Sequence, residues 1–304
     1  MTTAVVTTEV PQEQAAPRPA QGSRRRPPRV NRPVGGAGAG VLLWGYAALA
    51  LVPLLLMVSN SFRTNADLIT DPLGLPTPPT TASYVEAWTT GNFATYFGNS
   101  LAVTVGAVAI STSVATMAAY ALARGRSRIF RWLESLFLSG LMLPIHLAIL
   151  PIFYLFDGLG LIDSRLGLTL MYASSGIPFS IFVLTTFFRQ LPEELEEAAA
   201  LDGASPWQTF WRVMVPLAKP GIIALAVFTT LWSWNDLIWP LIVTSDQDKM
   251  TLSVGLAVLA GGLHHINYPV LMAGALLATL PMLLTFIILQ RQFIQGIAFS
   301  GTKG

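Results

Sequence analysis

The residues best suited to recognition chemistry lie in one stretch, RQLPEELEEAAALDGASPWQTFWRVMVPLAKP, from Arg189 to Pro220. Pro192 suits a first helical position, and Glu193, Glu194, Glu196 and Glu197 fill opening turns, where the helix dipole favours anions. Ala198, Ala199, Ala200 and Leu201 propagate a helix, and Asp202 and Gly203 stop it, because glycine takes the left-handed backbone that closes a last turn. Ser205 and Pro206 then supply the N-cap and first residue of a second helix. Its Trp207, Phe210, Trp211 and Met214 recur at i, i+3, i+4 and i+7, and Pro216 is expected to end or kink it. Five acids and three bases between residues 189 and 219 make this an acidic knob with an aromatic underside. Such a surface suits docking on a basic, concave partner better than it suits catalysis.

A second group, Trp232, Asn235, Asp236 and Trp239, shares one face if the helix through it is continuous, with Trp234 beside it. Aromatic faces with amide and carboxylate groups are what a sugar's CH faces and hydroxyls require. Asp236 is the one formally charged residue inside an apolar run, and a charge there is costly enough to mark function. The same residues also fit hydrogen bonding between neighbouring helices, with the tryptophans in an interfacial belt. His146 stands between Pro144 and Pro151 and reads as a buried, hydrogen-bonded histidine. The two prolines either break a helix that lines a cavity or kink one that packs in the core. His264 and His265 are adjacent, point apart on regular structure and make a poor metal pair.

Other chemistry is excluded by absence. No GxSxG or HExxH occurs, and the terminal SGTKG lacks the spacing of a phosphate-binding loop. With no cysteine there is no disulfide, thiolate nucleophile or cysteine metal site. We expect no enzyme, no metal and no cofactor of this chain's own. One aspartate and one histidine are too few buried titratable groups for an ion-coupled carrier.

The scaffold that must position these residues is a membrane one. Of 304 residues 53% are hydrophobic and 11% charged, with mean hydropathy +0.57, whereas a soluble domain carries about 25% charge to wet its surface. Eighteen Lys and Arg against sixteen Asp and Glu argue against nucleic acid as a partner. Residues 1–40, rich in Pro, Gly and Arg, are expected to form a disordered basic tail with GGAGAG as a flexible linker. Six apolar stretches, near 41–60, 97–122, 134–156, 166–188, 220–243 and 269–290, are each long enough to span a bilayer as a helix. Fifteen Lys and Arg fall on one side of these spans and three, Arg63, Arg165 and Lys249, on the other. The positive-inside rule then puts both termini and the 189–219 loop in the cytoplasm. Residues 252–259 of the outer loop are expected to lie as a short amphipathic helix on the outer face, with Gly261 and Gly262 turning its tip.

EAAALDGASPWQTFWRVMVP resembles the EAA loop of bacterial ABC importer permeases, whose pattern is EAA, three residues, Gly, nine residues, then I-x-L-P. Glu197, Ala198, Ala199 and Gly203 match at that spacing, as do Val213, Val215 and Pro216 with conservative departures at the two aliphatic places. TYFGNSLAV, MLPIHLAILPIFYLFDGLGLIDSRLGL, LWSWNDLIWPLI and LQRQFIQGIAFSGTKG look like the smaller permease subunit of maltose-type carbohydrate importers. The resemblance implies an all-α membrane protein of six transmembrane helices, a permease domain over 41–304, and a cytoplasmic coupling helix-turn-helix over 189–219. It implies as partners a second permease subunit, an ATP-binding subunit dimer carrying ATP and Mg, and an extracytoplasmic solute-binding protein, beside the lipid bilayer of the bacterial cell membrane. Glu197, Ala198, Ala199, Asp202, Gly203 and Pro216 would then form the ATPase coupling surface, the glutamate pairing with a basic residue there. Gly261, Gly262, His264 and His265 would reach the binding protein, unless that loop is an ordinary connector. In the resembling maltose system the larger permease makes most of the sugar contacts. The implied function is import of a sugar or oligosaccharide; another polar solute such as a polyol or glycerol phosphate, or ion-coupled transport, is the alternative.

Overall fold

A computed structural model describes residues 37–89, 91–142, 144–261 and 266–301, with side chains from residue 38 to 290. Most of the expected tail, Gly262, His264, His265 and the last residues lie outside the described residues. Two compact units meet in sequence between Ala50 and Leu51. The described part of the first is the start of helix α1 (Ala37–Ser61), apolar and largely exposed.

The regular structure of the second unit is all helix among its described residues. After the end of α1 come α2 (Asn65–Thr70), α3 (Ala82–Thr89), α4 (Phe93–Arg124), α5 (Arg128–Gly140), α6 (Ile149–Gly158) and α7 (Arg165–Gln190). Then follow α8 (Glu194–Leu201), α9 (Pro206–Thr209), α10 (Val215–Asn235), α11 (Ile238–Val243), α12 (Leu252–Ala260) and α13 (Tyr268–Gly301). Among the described residues five helices are long and apolar enough to cross a membrane, and a sixth span is made if a bent pair counts as one.

The core is built on α4, α7 and α10. Lipid gives helices no hydrophobic reason to associate, so close backbone approach must hold them. Ala107, Ser111, Ala115 and Ala119 repeat every four residues on α4 and are fully buried. On the facing α7 a Cβ on Gly176 would come within 3.3 Å of Ser111 Oγ, and one on Gly106 of α4 would come within 2.8 Å of Thr169 Cγ2 of α7. Small residues thus set the α4–α7 distance, and Leu122, Leu184, Phe188, Met214 and Leu225 fill the knob end of the core.

Three expectations need correction. The span near 134–156 is no single helix: α5 stops at Gly140, and the segment from Ile145 runs at 86° to it. His146 consequently sits exposed on a short 3₁₀ turn, Ile145–Ala148, instead of buried. Residues 252–260 do not lie on an outer surface. Their sequence, LSVGLAVLA, has no polar face to offer water, and Leu252, Val254 and Gly255 are buried. Ser100 Oγ accepts the Leu252 N–H at 2.8 Å, and Asn99 donates to the carbonyls of Asp248 and Met250, both at 2.9 Å. Gly255 lies flat against the Tyr96 ring, where any Cβ would collide.

Candidate functional site

The 189–219 segment folds as two short helices joined by a tight turn. Glu194, Glu196 and Glu197 occupy the first turn of α8. At its other end Gly203 has φ +82°, its N–H donates to Ala200 at 3.0 Å, and the Ala204 N–H donates to Ala199 at 2.9 Å. This paired closure satisfies carbonyls that a helix end otherwise leaves open. Ser205 caps the next helix reciprocally: its N–H donates to Gln208 Oε1 at 2.9 Å, and its Oγ accepts the Gln208 N–H at 3.3 Å. Pro206 is the first helical residue, where its missing N–H costs nothing.

Pro216 does not end this helix. Pro206 to Asn235 form one 30-residue helix, with a π-turn at Phe210–Met214 that ends two residues before the proline. Proline lacks an N–H and its ring crowds the carbonyl four residues back, and the wider turn makes room for both. The aromatic underside divides between bundle and surroundings. Phe210 and Met214 are buried, while Trp207 and Trp211 remain 62% and 45% exposed.

The acids divide likewise. Glu196 accepts from Arg124 Nε at 2.5 Å and from the Tyr120 hydroxyl at 3.0 Å, while Arg124 also donates to the Leu191 carbonyl at 3.1 Å. Glu193 pairs with Arg126 at 2.8 Å, and Arg189 grips Glu134 through two bonds of 2.8 and 2.7 Å. Glu194, Glu197 and Asp202 stay exposed, Glu197 with no ion pair among the described residues. The sequence marks Glu196 only as one of four acids in the opening turns and gives Tyr120 and Arg124 no role in the knob. The one local signal of Tyr120 and Arg124 is their four-residue spacing on a helix, and their partner Glu196 is 76 and 72 residues away.

The fifth span breaks where a continuous face was expected. Helix α10 ends at Asn235, Asp236 is extended with ψ 133°, and α11 begins at Ile238. The Asp236 carboxylate accepts the N–H groups of Ile238 and Trp239 at 3.4 and 3.3 Å and the Tyr172 hydroxyl at 2.9 Å. It therefore caps α11 and satisfies its charge with three donors. Trp239 is buried against Phe156 and Met171. Trp234 is buried and donates to the Ala278 carbonyl at 3.1 Å. Asn235 donates to Leu231 of its own helix at 2.8 Å and borders a hollow of about 240 Å³. Trp232 instead faces a cavity of about 270 Å³ between α7 and α10, with Ser175, Phe179, Phe228 and Thr229. Phe179 and Phe228 contact there with ring centroids 5.1 Å apart. The break thus separates residues that an unbroken helix would have aligned.

Residues 111–298 match the family described as binding-protein-dependent transport system inner membrane component. The chain belongs to this family. The matched region takes in α4 from Ser111 onward, all of α7, the knob and both sides of the span-five break. As an inner membrane transport component it is similar to a diacetylchitobiose uptake system permease protein of Streptomyces coelicolor, 36% identical over 263 residues and 86% of each chain. An arabinooligosaccharides transport system permease protein of Halalkalibacterium halodurans is 34% identical, covering 85% of this chain and 93% of its own. A solved bacterial ABC transporter involved in the import of the acidic polysaccharide alginate has a chain matching at TM-score 0.76 and 26% identity. That match covers 85% of this chain and 96% of the other. This transport component is a multi-pass membrane protein, and the permease family suggested by the EAA-like motif is the family shown.

Proposed function

We propose that this chain is one of two permease subunits of an ATP-driven importer, passing a sugar or oligosaccharide delivered by an extracytoplasmic solute-binding protein. The observation that carries the reading is the capped helix-turn-helix on which the family's EAA spacing falls, built with its outer acids and tryptophans free for a partner. The oligosaccharide named for both relatives supports the solute class. The chain has no ATP site of its own in this reading, and ATP and Mg sit on a separate subunit dimer. Glu197, Ala198, Ala199, Asp202 and Gly203 present the docking surface, with Pro216 fixing the turn behind it. Alternating access then follows from ATP biasing two arrangements of a packed bundle. The experiment is uptake of labelled oligosaccharides by vesicles holding both permeases and the ATPase, with and without the binding protein. Uptake that persists without ATP would overturn it.

Orientation follows from the charge asymmetry, with the knob cytoplasmic and the loop at 244–251 outside. The absence of native cysteine makes labelling clean. A cysteine at Asp246 should react with an impermeant reagent added outside, and one at Ser205 only after the membrane is opened; the reverse pattern would invert the topology.

For the solute path we propose the Trp232 cavity, where aromatic rings and hydroxyls meet, with Asp236 behind it holding the Tyr172 hydroxyl and Trp234 and Asn235 lining the neighbouring hollow as a second part of the path. Trp232→Ala should raise the uptake KM about fivefold, the size of one aromatic contact of ~1 kcal/mol. Asp236→Asn should change KM little, because an amide oxygen still caps α11. An unchanged KM in Trp232→Ala at normal abundance would remove the cavity from the path. The remaining pair, His264 and His265 with Gly261 and Gly262, is proposed as the binding-protein contact on position in the chain alone.

A further inference from the structure

We infer that Tyr120, Arg124 and Glu196 form the joint through which movement of the knob enters the membrane helices. This rests on the proposal that the knob docks on the ATPase. Helix α8 fully buries none of its residues, and among the described residues none of them joins the apolar clusters of the bundle. Its hold is polar, and most of it converges on the last turns of α4. Glu196 uses one oxygen for Arg124 and the other for Tyr120, and Arg124 reaches on to the Leu191 carbonyl at 3.1 Å, bracing the entry to the knob.

The two partners' side chains are only 15% and 22% exposed. A charge-assisted bond so shielded from water is stronger and stiffer than a surface pair. By contrast, the neighbouring Arg126–Glu193 pair is 86% and 57% exposed, and such pairs hold little. Tyr120 adds a second grip. Its ring contacts Phe188 of α7 at 5.6 Å and Phe210 of the π-turn at 5.0 Å. One turn of α4 is thereby tied to α7 and to both arms of the knob. Glu197, the next residue, points away and remains for the partner. Two adjacent glutamates thus do different work: the outer one receives the ATPase and the inner one passes the motion to α4, whose whole length packs on the core. Arg124 and Glu196 are positioning residues in this scheme, and they touch neither ATP nor solute.

The test uses the full chain in its complex with the second permease and the ATPase, with uptake expressed per inserted copy. Arg124→Glu and Glu196→Arg should each lower ATP-driven uptake about tenfold or more, within the usual range of coupling effects. The ATPase should still co-purify and hydrolyse ATP without transport, because the outer face is intact. Combining Arg124→Glu with Glu196→Arg should restore uptake to within about threefold of wild type by remaking the pair with its signs exchanged. Tyr120→Phe keeps the ring and loses one bond, and should give an intermediate loss. Normal uptake per copy in either reversal, or a double variant no better than the single ones, overturns the joint. If the wild-type complex itself shows no ATP-driven uptake, the transport reading fails first and the joint falls with it.

Discussion

Gly203→Val is expected to abolish ATP-driven uptake, whereas Gly203→Asn should retain most of it. No heavy atom lies within 4 Å of where a Cβ on Gly203 would sit, so crowding by neighbours is not the cause. The cause is the backbone, with φ +82°. A side chain there costs about 1–2 kcal/mol in general, and a β-branched one is a genuine outlier. Asparagine tolerates the left-handed region far better. Valine would escape by rotating the backbone, breaking the two bonds from Gly203 and Ala204 and swinging α9 relative to α8. The permease should still insert, since no span is touched, and the ATPase should co-purify poorly. Wild-type uptake by the valine variant at equal membrane abundance would remove the turn from the coupling path.

Glu197→Lys should do comparable damage by a different route. Its loss from the first turn of α8 costs only about 0.3–1 kcal/mol through the helix dipole, too little to unfold the knob. Reversing a charge that meets a basic partner costs about 2–5 kcal/mol or more, which is roughly 30-fold to several thousandfold in association. Co-purification of the ATPase is the direct measurement. Glu194→Lys makes the same change of charge in the same turn, at a position outside the proposed surface, and should cost much less. Equal recovery of the ATPase with Glu197→Lys and wild type would show that this glutamate does not meet it.

What could be read in advance followed the range of the interactions. Gly203, Ser205 and Pro206 were legible because capping is settled within four residues. The spans were legible because a bilayer imposes a length that few soluble helices share. The span-five break was harder, since Asp236 looks like a lone charge on an unbroken helix. Yet Asp236 two residues before Ile238, with Pro240 in the first turn of α11, is itself a helix-start signal, masked by the apolar run that continues across it. The π-turn was not legible at all. Pro216 demands relief, but whether the chain relieves it by stopping or by widening one turn depends on Phe210 and Met214 being held in the core. The Arg124–Glu196 pair was hidden for a related reason, because a chain of eighteen cations and sixteen anions allows many pairings and only the packing of α4 on α7 selects this one.

The π-turn carries a mechanical consequence. Because it joins α9 to α10 instead of parting them, Pro206 to Asn235 is a single rod of 30 residues, about 45 Å long at ~1.5 Å per residue. One end projects as the exposed Trp207, and the other stops at the Asp236 hinge beside the cavity that holds Trp232. From the π-turn to Asn235 the arm is about 35 Å at ~1.5 Å per residue, so a tilt of about 5° about that turn displaces the Asp236 end by roughly 3 Å, about the width of a water molecule. The geometry is that of a lever with unequal arms, short from Trp207 to the π-turn and long from there to the Asp236 break, and its fulcrum is the π-turn, where the Tyr120 ring meets Phe210 at 5.0 Å.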